Sequence, residues 1–437
     1  MKYEDMLFTI PECGLLQSRH VYLFEGEVCE CTISDARKDY LLTNLKTGES
    51  KKLDGCMAVL MEGQIRDITD AYIRENPDYA QDRMERARED LRQGKNYYRA
   101  CHLLEPVADS GDPEAQYLLA YCFYKAPNHM WSPNSVNKYL EKAAVQGHLK
   151  AQYFLAQNYR TGFNNTADPV LSARWYEKAA LQGHAKAAAY NGQNHEYGVE
   201  GLFPADEKEA FHWYQVSAEA GDSLGMYRLG LAYENGVGTD ADLKKALECY
   251  RKGAELDHRQ CAFRCAYIQD PVYGFRELAD GEVAILGYYK AKRLRDERAS
   301  RYLGLHYSKG TAGVDINHRK ALELFVDGAS LGDAPCAAEA GRLYLYGDHG
   351  IRQNLWEAFK LCSQAAEAGD TTGMLLLAHY YLLIPSTEEN TRKSLGWAEK
   401  AQAAGGNADA LLEEAGKRLK EFRKEEKKKK GLFGRKR

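Results

Sequence analysis

The chain lacks the features that would settle its class at a glance. No stretch of the 437 residues approaches the ~18 consecutive apolar positions of a membrane-spanning helix. The first residues, Met1-Lys2-Tyr3-Glu4-Asp5, place acids where a secretory leader carries bases, and no apolar core follows. This reading expects a cytoplasmic protein. No Cys-x-x-Cys occurs among the 11 cysteines, so thioredoxin-like and zinc-ribbon spacings are excluded. Cys29 and Cys31 have only His20 near them, and Cys261 and Cys265 lie four apart. Buried free thiols are the reading for these, since Cys packs as a small hydrophobe. Trp and Phe are sparse, at 5 and 13, whereas Tyr reaches 30, so aromatic contacts here are mostly tyrosine contacts.

Catalytic motifs are equally thin. His195-Glu196 has no second histidine three residues on, so the zinc-protease spacing is missing. Gly236-Val237-Gly238 has no phosphate-loop lysine and follows a helix pattern rather than a strand. No Ser/His/Asp or Cys/His arrangement stands out along the chain, although a spatial triad leaves no sequence trace. No catalytic residue, cofactor site or metal site is assigned.

The net charge of −4 hides an asymmetry. From Lys417 to Arg437, 12 basic residues face three glutamates, a local charge of +9, so the remainder carries −13. This asymmetry of acidic body and basic tail leaves two readings open: an end that reaches an anionic nucleic acid or lipid, or a solvated tail that aids solubility or folds onto the acidic body.

What the sequence does have is a period. A Gly-Asp or Gly-His step recurs at Gly111, Gly147, Gly183, Gly221, Gly332 and Gly369. Degenerate copies stand at Asp257-His258 and Arg295-Asp296, and Gly405-Gly406 closes the series. Four residues after each step comes a small residue, from Ala115 and Ala151 to Cys336 and Gly373. Nine after, it is always Ala or Gly. Twelve after, it is mostly aromatic, as at Phe123, Tyr159, Tyr233 and Tyr307, with His195 and Gln269 as departures. At 3.6 residues per turn these offsets fall within one face of a helix, which predicts an amphipathic helix A after every step. Helix B precedes the next step, as in Trp175-Tyr176-x-x-Ala179-Ala180. The step glycine suits the left-handed end of B, and the Asp or His after it suits a cap for the next A. His148 and His184 are therefore read as capping or turn residues, and His195 as core.

Leu229-Gly230-x-x-Tyr233-x-x-Gly236-x-Gly238, then Ala246-x-x-x-Tyr250 and Ala254, resembles the Sel1-like repeat, a relative of the tetratricopeptide repeat. Ala151-x-x-x-Leu155-Ala156-x-x-Tyr159-x-x-Gly162 is similar to it too. The resemblance spans about residues 95–420 and departs most over Asp257–Leu294. It implies a mainly α, right-handed solenoid of helical hairpins and a broad role as an adaptor that assembles other proteins.

Ahead of the repeats, Val21–Phe24, Val28–Ile33 and Tyr40–Thr43 are rich in strand formers, and Lys46-Thr47-Gly48-Glu49 reads as a hairpin turn. The expected organisation is a small β-rich domain over 1–75, an atypical first helix pair over 76–110, the solenoid over 111–404, a capping helix over 405–426, and a disordered basic tail over 427–437.

Binding is expected on helix A. Offsets 6 and 10 point away from the wheel's buried arc, and they carry Tyr117, Tyr121, Tyr153, Gln157, Gln193, Tyr227, Tyr267, Arg301 and Arg342. A solvent face is ordinarily Lys/Glu-rich, whereas tyrosine and arginine favour interfaces. Two readings stay open: these residues pack between neighbouring helices, or they line one groove that holds an extended peptide or a partner's helix. The leading function is a monomeric, non-enzymatic protein-interaction scaffold. One alternative is a nucleic-acid- or membrane-associated adaptor that uses the β module and the Lys427–Arg437 tail. A second is an enzyme whose site lies in the β module, where Cys13, Cys29, Cys31, Cys56 and His20 are the only candidates.

Overall fold

The computed structural model describes residues 21–24, 27–33, 40–53, 65–67, 69–94, 96–126, 133–163, 167–347 and 350–433. Cys13, His20 and Cys56 fall outside them, as do residues 434–437 of the basic tail.

Five short strands form one antiparallel sheet in the order β4-β3-β2-β1-β5: β1 Val21–Phe24, β2 Glu27–Ile33, β3 Tyr40–Asn44, β4 Ser50–Leu53 and β5 Ile65–Asp67. Alternation sets its buried face, where Cys31 pairs with Leu42 and Cys29 with Asn44, all four buried. The β3–β4 turn is held by the Asn44 carboxamide, whose Oδ1 accepts from Lys46 N at 2.8 Å and Thr47 N at 3.0 Å. Gly48 supplies the positive φ of 75° that the turn requires.

Three helices lead from the sheet into the repeats: α1 Thr69–Glu75, α2 Pro77–Gln93 and α3 Tyr97–Asp109. Arg83 of α2 joins these layers. It is almost fully buried, and its guanidinium donates to Leu103 O and His102 O of α3 and to Glu30 Oε1 of β2, at 3.1, 2.9 and 3.2 Å.

The repeats follow as alternating A and B helices. The A helices are α4 Pro113–Lys125, α6 Leu149–Thr161, α8 Ala185–Tyr197, α10 Ser223–Asn235, α12 Arg259–Ile268, α14 Glu297–Lys309, α16 Ala334–Tyr346, α18 Thr371–Leu383 and α20 Asp409–Phe433. The B helices are α5 Pro133–Val145, α7 Pro169–Leu181, α9 Glu207–Glu219, α11 Leu243–Glu255, α13 Gly281–Arg293, α15 His318–Ser330, α17 Leu355–Glu367 and α19 Glu388–Ala403. The chain divides into two compact units, residues 1–220 and 221–437. Within each, hairpins stack in sequence order, the arrangement of a helical-hairpin solenoid.

Each column of the period has a physical job. The step glycines all hold positive φ, from 81° at Gly221 to 109° at Gly111. At the degenerate steps the non-glycine residues adopt the same region, Asp257 at φ 56° and Arg295 at φ 62°. The next residue caps helix A: Asp112 accepts from Ala115 N at 2.7 Å, Asp370 from Gly373 N at 2.7 Å, and His148 Nδ1 from Ala151 N at 3.1 Å. Offset 4 is thus the residue whose N–H meets the cap, and it must be small because it is fully buried against the preceding B helix. The Ala/Gly column at offset 9 faces the B-helix aromatic. A Cβ on Gly192 would lie 2.6 Å from the Tyr214 ring, one on Gly230 2.5 Å from Tyr250, and one on Gly304 2.5 Å from Phe325. Tyr176, Tyr214, Tyr250, Tyr288 and Phe325 are the largest fully buried side chains of the repeats.

The departure expected over 257–294 takes a definite form, and one other expectation changes. The repeat at 257–294 has an A helix of only ten residues and a 3₁₀ turn at Arg276–Leu278 in place of a glycine loop. The last helix does not stop near 426: α20 runs on to Phe433, where a disordered tail was expected from 427. Lys and Glu are good helix formers, and nothing in that run breaks the ladder.

Candidate functional site

The face read as a binding surface is assembled differently from the expectation. Tyr117 and Tyr153 are buried, at 9% and 7% exposure. Each stacks on the capping histidine of the following A helix, Tyr117 on His148 at 4.8 Å and Tyr153 on His184 at 4.3 Å. Tyr227 is half-buried against His258 at 5.4 Å. Arg301 meets the cap Asp333 in a bidentate ion pair. Offset 6 is therefore a joint between successive A helices. The wheel missed it because it treats a helix as having one neighbour, whereas a helix inside a stack has one on each side. The pairing is visible in the sequence once the geometry is known. Tyr at offset 6 accompanies His as the next cap at 117/148, 153/184 and 227/258, and Arg301 accompanies Asp333. Burial raises the Tyr117 phenol, with the Glu114 and Tyr121 charges adding, up to about 12, so it stays a neutral packing group.

Offset 10 behaves as a surface. Tyr121, Gln157, Gln193, Tyr267 and Arg342 are all half-buried. The carboxamides of Gln157 and Gln193 have no hydrogen-bond partner among the described residues. Tyr267 is partly committed, packed on Tyr302 at 5.5 Å, and Arg342 donates to Glu339 at 3.0 Å. Beside this row, one turn further along each A helix, lie residues the sequence reading did not single out. Tyr124 is 50% exposed and Tyr197 67% exposed. In the second unit Tyr346 is 47% exposed and its hydroxyl meets His379 Nδ1 at 2.7 Å, with Leu383 exposed nearby in sequence. The signal that could have found them is the recurrence of Tyr thirteen or fourteen residues after the step.

In the first unit the row has charge beside its rings. The Lys125 ammonium lies 5.8 Å from the Tyr121 centroid and 5.6 Å from that of Tyr124. The Arg160 guanidinium lies 4.4 Å from the Tyr190 ring. The recess between α4, α5 and α6, lined by Tyr117, Tyr121, Tyr124, Val136, Leu140 and Phe154, has a volume of about 20 Å³. That admits no side chain.

One buried polar cluster lies apart, in the divergent repeat. Asp270 accepts from Tyr288 OH and from His306 Nε2, both at 2.8 Å, and from the backbone N–H of Val272 and Tyr273. His306 Nδ1 meets Thr311 Oγ1 at 2.7 Å. Burial alone would raise the Asp270 carboxyl, but the hydrogen bonds from His306, the two N–H groups and Tyr288 outweigh it and hold it below the usual carboxylate range. The row Asp–His–Thr has the composition of a nucleophilic relay. His306 and Asp270 are fully buried, however, so no substrate reaches the imidazole. The cluster ties α12, α13 and α14 together. No group of three or more potential metal ligands occurs among the described residues.

Comparison with known proteins places this geometry. The family model described as the Sel1 repeat matches residues 113–148, 149–184, 185–222, 223–258, 298–333, 334–370 and 372–405, skipping the divergent repeat. A chitin synthase regulator of Saccharomyces cerevisiae is 29% identical over 210 residues, 46% of this chain and 30% of its own. Chitin synthase regulatory factor 3 of Schizosaccharomyces pombe is 28% identical over 216 residues, 48% of this chain and 23% of its own. The chain thus spans less than a third of the length of these relatives. A solved repeat protein from Oxalobacter formigenes is 28% identical, with a TM-score of 0.50 over 56% of this chain and 96% of that one.

Proposed function

The chain belongs to the Sel1 repeat family, and on that premise we propose that it is a non-enzymatic adaptor that holds an extended peptide or a partner's helix against the exposed side of its A helices. The observation that carries this is the row on α4, α6 and α8: Tyr121, Tyr124, Gln157, Gln193 and Tyr197. These side chains are half-buried or exposed, and the two glutamines keep unused hydrogen-bonding capacity. Tyrosine offers apolar area and a hydroxyl at low entropic cost, which suits it to recognising another chain. Among the relatives, two are named as regulators of a chitin synthase, which is the kind of work an adaptor does.

The test replaces Tyr121, Tyr124 and Tyr197 by Ala in the full chain. Partners captured from the native cell should fall at least tenfold by quantitative mass spectrometry, while helical circular dichroism stays intact. An unchanged partner set would sink the surface. Tyr117 and Tyr153 are unsuitable for this test, because their loss opens the stack.

With this reading go a cytoplasmic location and a monomeric chain. The free thiols among the described residues, such as buried Cys101, Cys122 and Cys336, suit a reducing compartment. Residues 1–75 are read as an accessory β-rich domain, 76–110 as the first hairpin, and 405–426 as part of the closing helix. A second reading rests on the local charge of +9 over residues 417–437, which would attach the adaptor to an anionic nucleic acid or membrane. Deleting residues 424–437 should then abolish salt-dependent binding to RNA or to anionic vesicles.

A further inference from the structure

An open cleft of about 890 Å³ lies in the second unit where α15 and α16 meet the loop that leads into α17. Its lining includes Arg319, Tyr344, Arg352 and Asn354. Both arginines are exposed, and neither has a hydrogen bond or ion pair among the described residues. The acids nearest them in sequence are engaged, Glu323 of α15 with Lys320 at 3.2 Å and Glu357 of α17 with Lys360 at 4.0 Å.

The repeats provide an internal control. Four other B helices are capped by an aspartate: Asp168, Asp206, Asp242 and Asp280. At the two B helices that border this cleft the cap is a neutral asparagine, Asn317 or Asn354. The cap carboxylate that those four helices carry is thus absent at both. Tyr344 tells the same story from another column. Its counterpart Tyr159 donates to Glu141 at 2.7 Å, and its counterpart Tyr307 accepts from Tyr289 at 3.0 Å, each partner eighteen residues earlier. Eighteen residues before Tyr344 stands Val326, and the Tyr344 hydroxyl has no hydrogen-bond partner among the described residues. Two missing cap carboxylates and an unused phenol therefore meet in one cleft.

We propose that this cleft binds an acidic peptide segment of a partner protein, with Arg319 and Arg352 pairing to its oxyanion groups and Tyr344 donating a hydrogen bond. Guanidinium forks match carboxylate and phosphate geometry, and the pairing is stronger than a neutral hydrogen bond. The volume suits a few side chains and falls within the ordinary range of ligand clefts. A cationic cleft on a body of charge −13 also steers an acidic segment to one place. This site shares no residue with the tyrosine row on α4, α6 and α8.

The experiment titrates the full chain into a fluorescently labelled decapeptide of alternating Asp and Ser, read by anisotropy at two salt concentrations. A phosphoserine version, an Asn-for-Asp version and a single-stranded RNA of equal charge are run beside it. Binding of the Asp peptide should weaken at least tenfold in Arg319→Ala/Arg352→Ala and severalfold in Tyr344→Phe. It should stay unchanged in the Tyr121→Ala/Tyr124→Ala/Tyr197→Ala variant, so a failure here is distinct from a failure of the adaptor surface. The same arginine dependence with tighter binding of the phosphoserine peptide would identify phosphate as the preferred oxyanion in this cleft. The proposal is overturned if no acidic peptide binds, if the Asn peptide binds equally well, if the double arginine variant keeps full affinity, or if only the RNA binds in an arginine-dependent way.

Discussion

At the level of single residues, two positions show how local geometry and burial set stability. Arg295 is exposed, and its only special feature is a φ of 62°, a region that an L side chain enters at a cost. Arg295→Gly should stabilise the chain by about 0.5–1 kcal/mol, the left-handed penalty less the extra entropy glycine loses on folding. Thermal unfolding would register this as a rise in Tm, and a fall would refute the account of the step. Arg83 is the opposite case. It is buried, and its guanidinium serves Leu103 O, His102 O and Glu30 at once. Arg83→Ala removes the donor from two carbonyls and from Glu30 in a buried site and should destabilise by about 3 kcal/mol. Glu30→Gln should cost less, because Arg83 keeps its two carbonyls. Chemical denaturation of the two variants compares them directly.

Between elements, the governing contact is a ring on a helix backbone. Gly230 exists because the Tyr250 ring occupies the space of its side chain, 2.5 Å from where a Cβ would stand. Gly230→Val should destabilise by about 2–3 kcal/mol through overpacking, although glycine is the poorer helix former. Equilibrium unfolding of the variant measures the sign as well as the size. The A–A contact at the far end of the array titrates. Burial pushes the His379 imidazole below its usual pKa of 6.5, so the folded state resists protonation. The unfolded chain then binds the proton more readily, and stability is present above pH 6.5 and lost as pH falls through the lower folded value. His379→Gln should flatten that slope in a Tm-versus-pH series between pH 7 and pH 5. An unaltered slope would place the acid sensitivity elsewhere.

For the molecule as a whole, a stack of hairpins couples neighbour to neighbour, so damage should spread along the chain and fade. Hydrogen exchange on Gly230→Val should show the greatest loss of protection in α10, α11 and α12, with α16 to α18 affected least. Uniform loss across residues 221–437 would mean that this unit unfolds as one piece.

The repeated helices, their order and their caps were legible in the sequence because they rest on local chemistry repeated many times. A glycine at positive φ, a cap on the third amide and an Ala or Gly under a ring each leave a mark within forty residues. The helix at Tyr97–Asp109 and the turn at Lys46–Glu49 follow from the same local rules. What needed the tertiary structure was the second side of every A helix. Tyr117 and Tyr153 look like surface on a wheel, yet they are buried because the next helix in the stack covers them. The rim at Tyr124 and Tyr197, the relay of Asp270 with His306, and the cleft between Arg319 and Arg352 are likewise products of distant segments brought together. A periodic pattern records what each helix requires of its own hairpin, whereas exposure is decided by the neighbour that arrives afterwards.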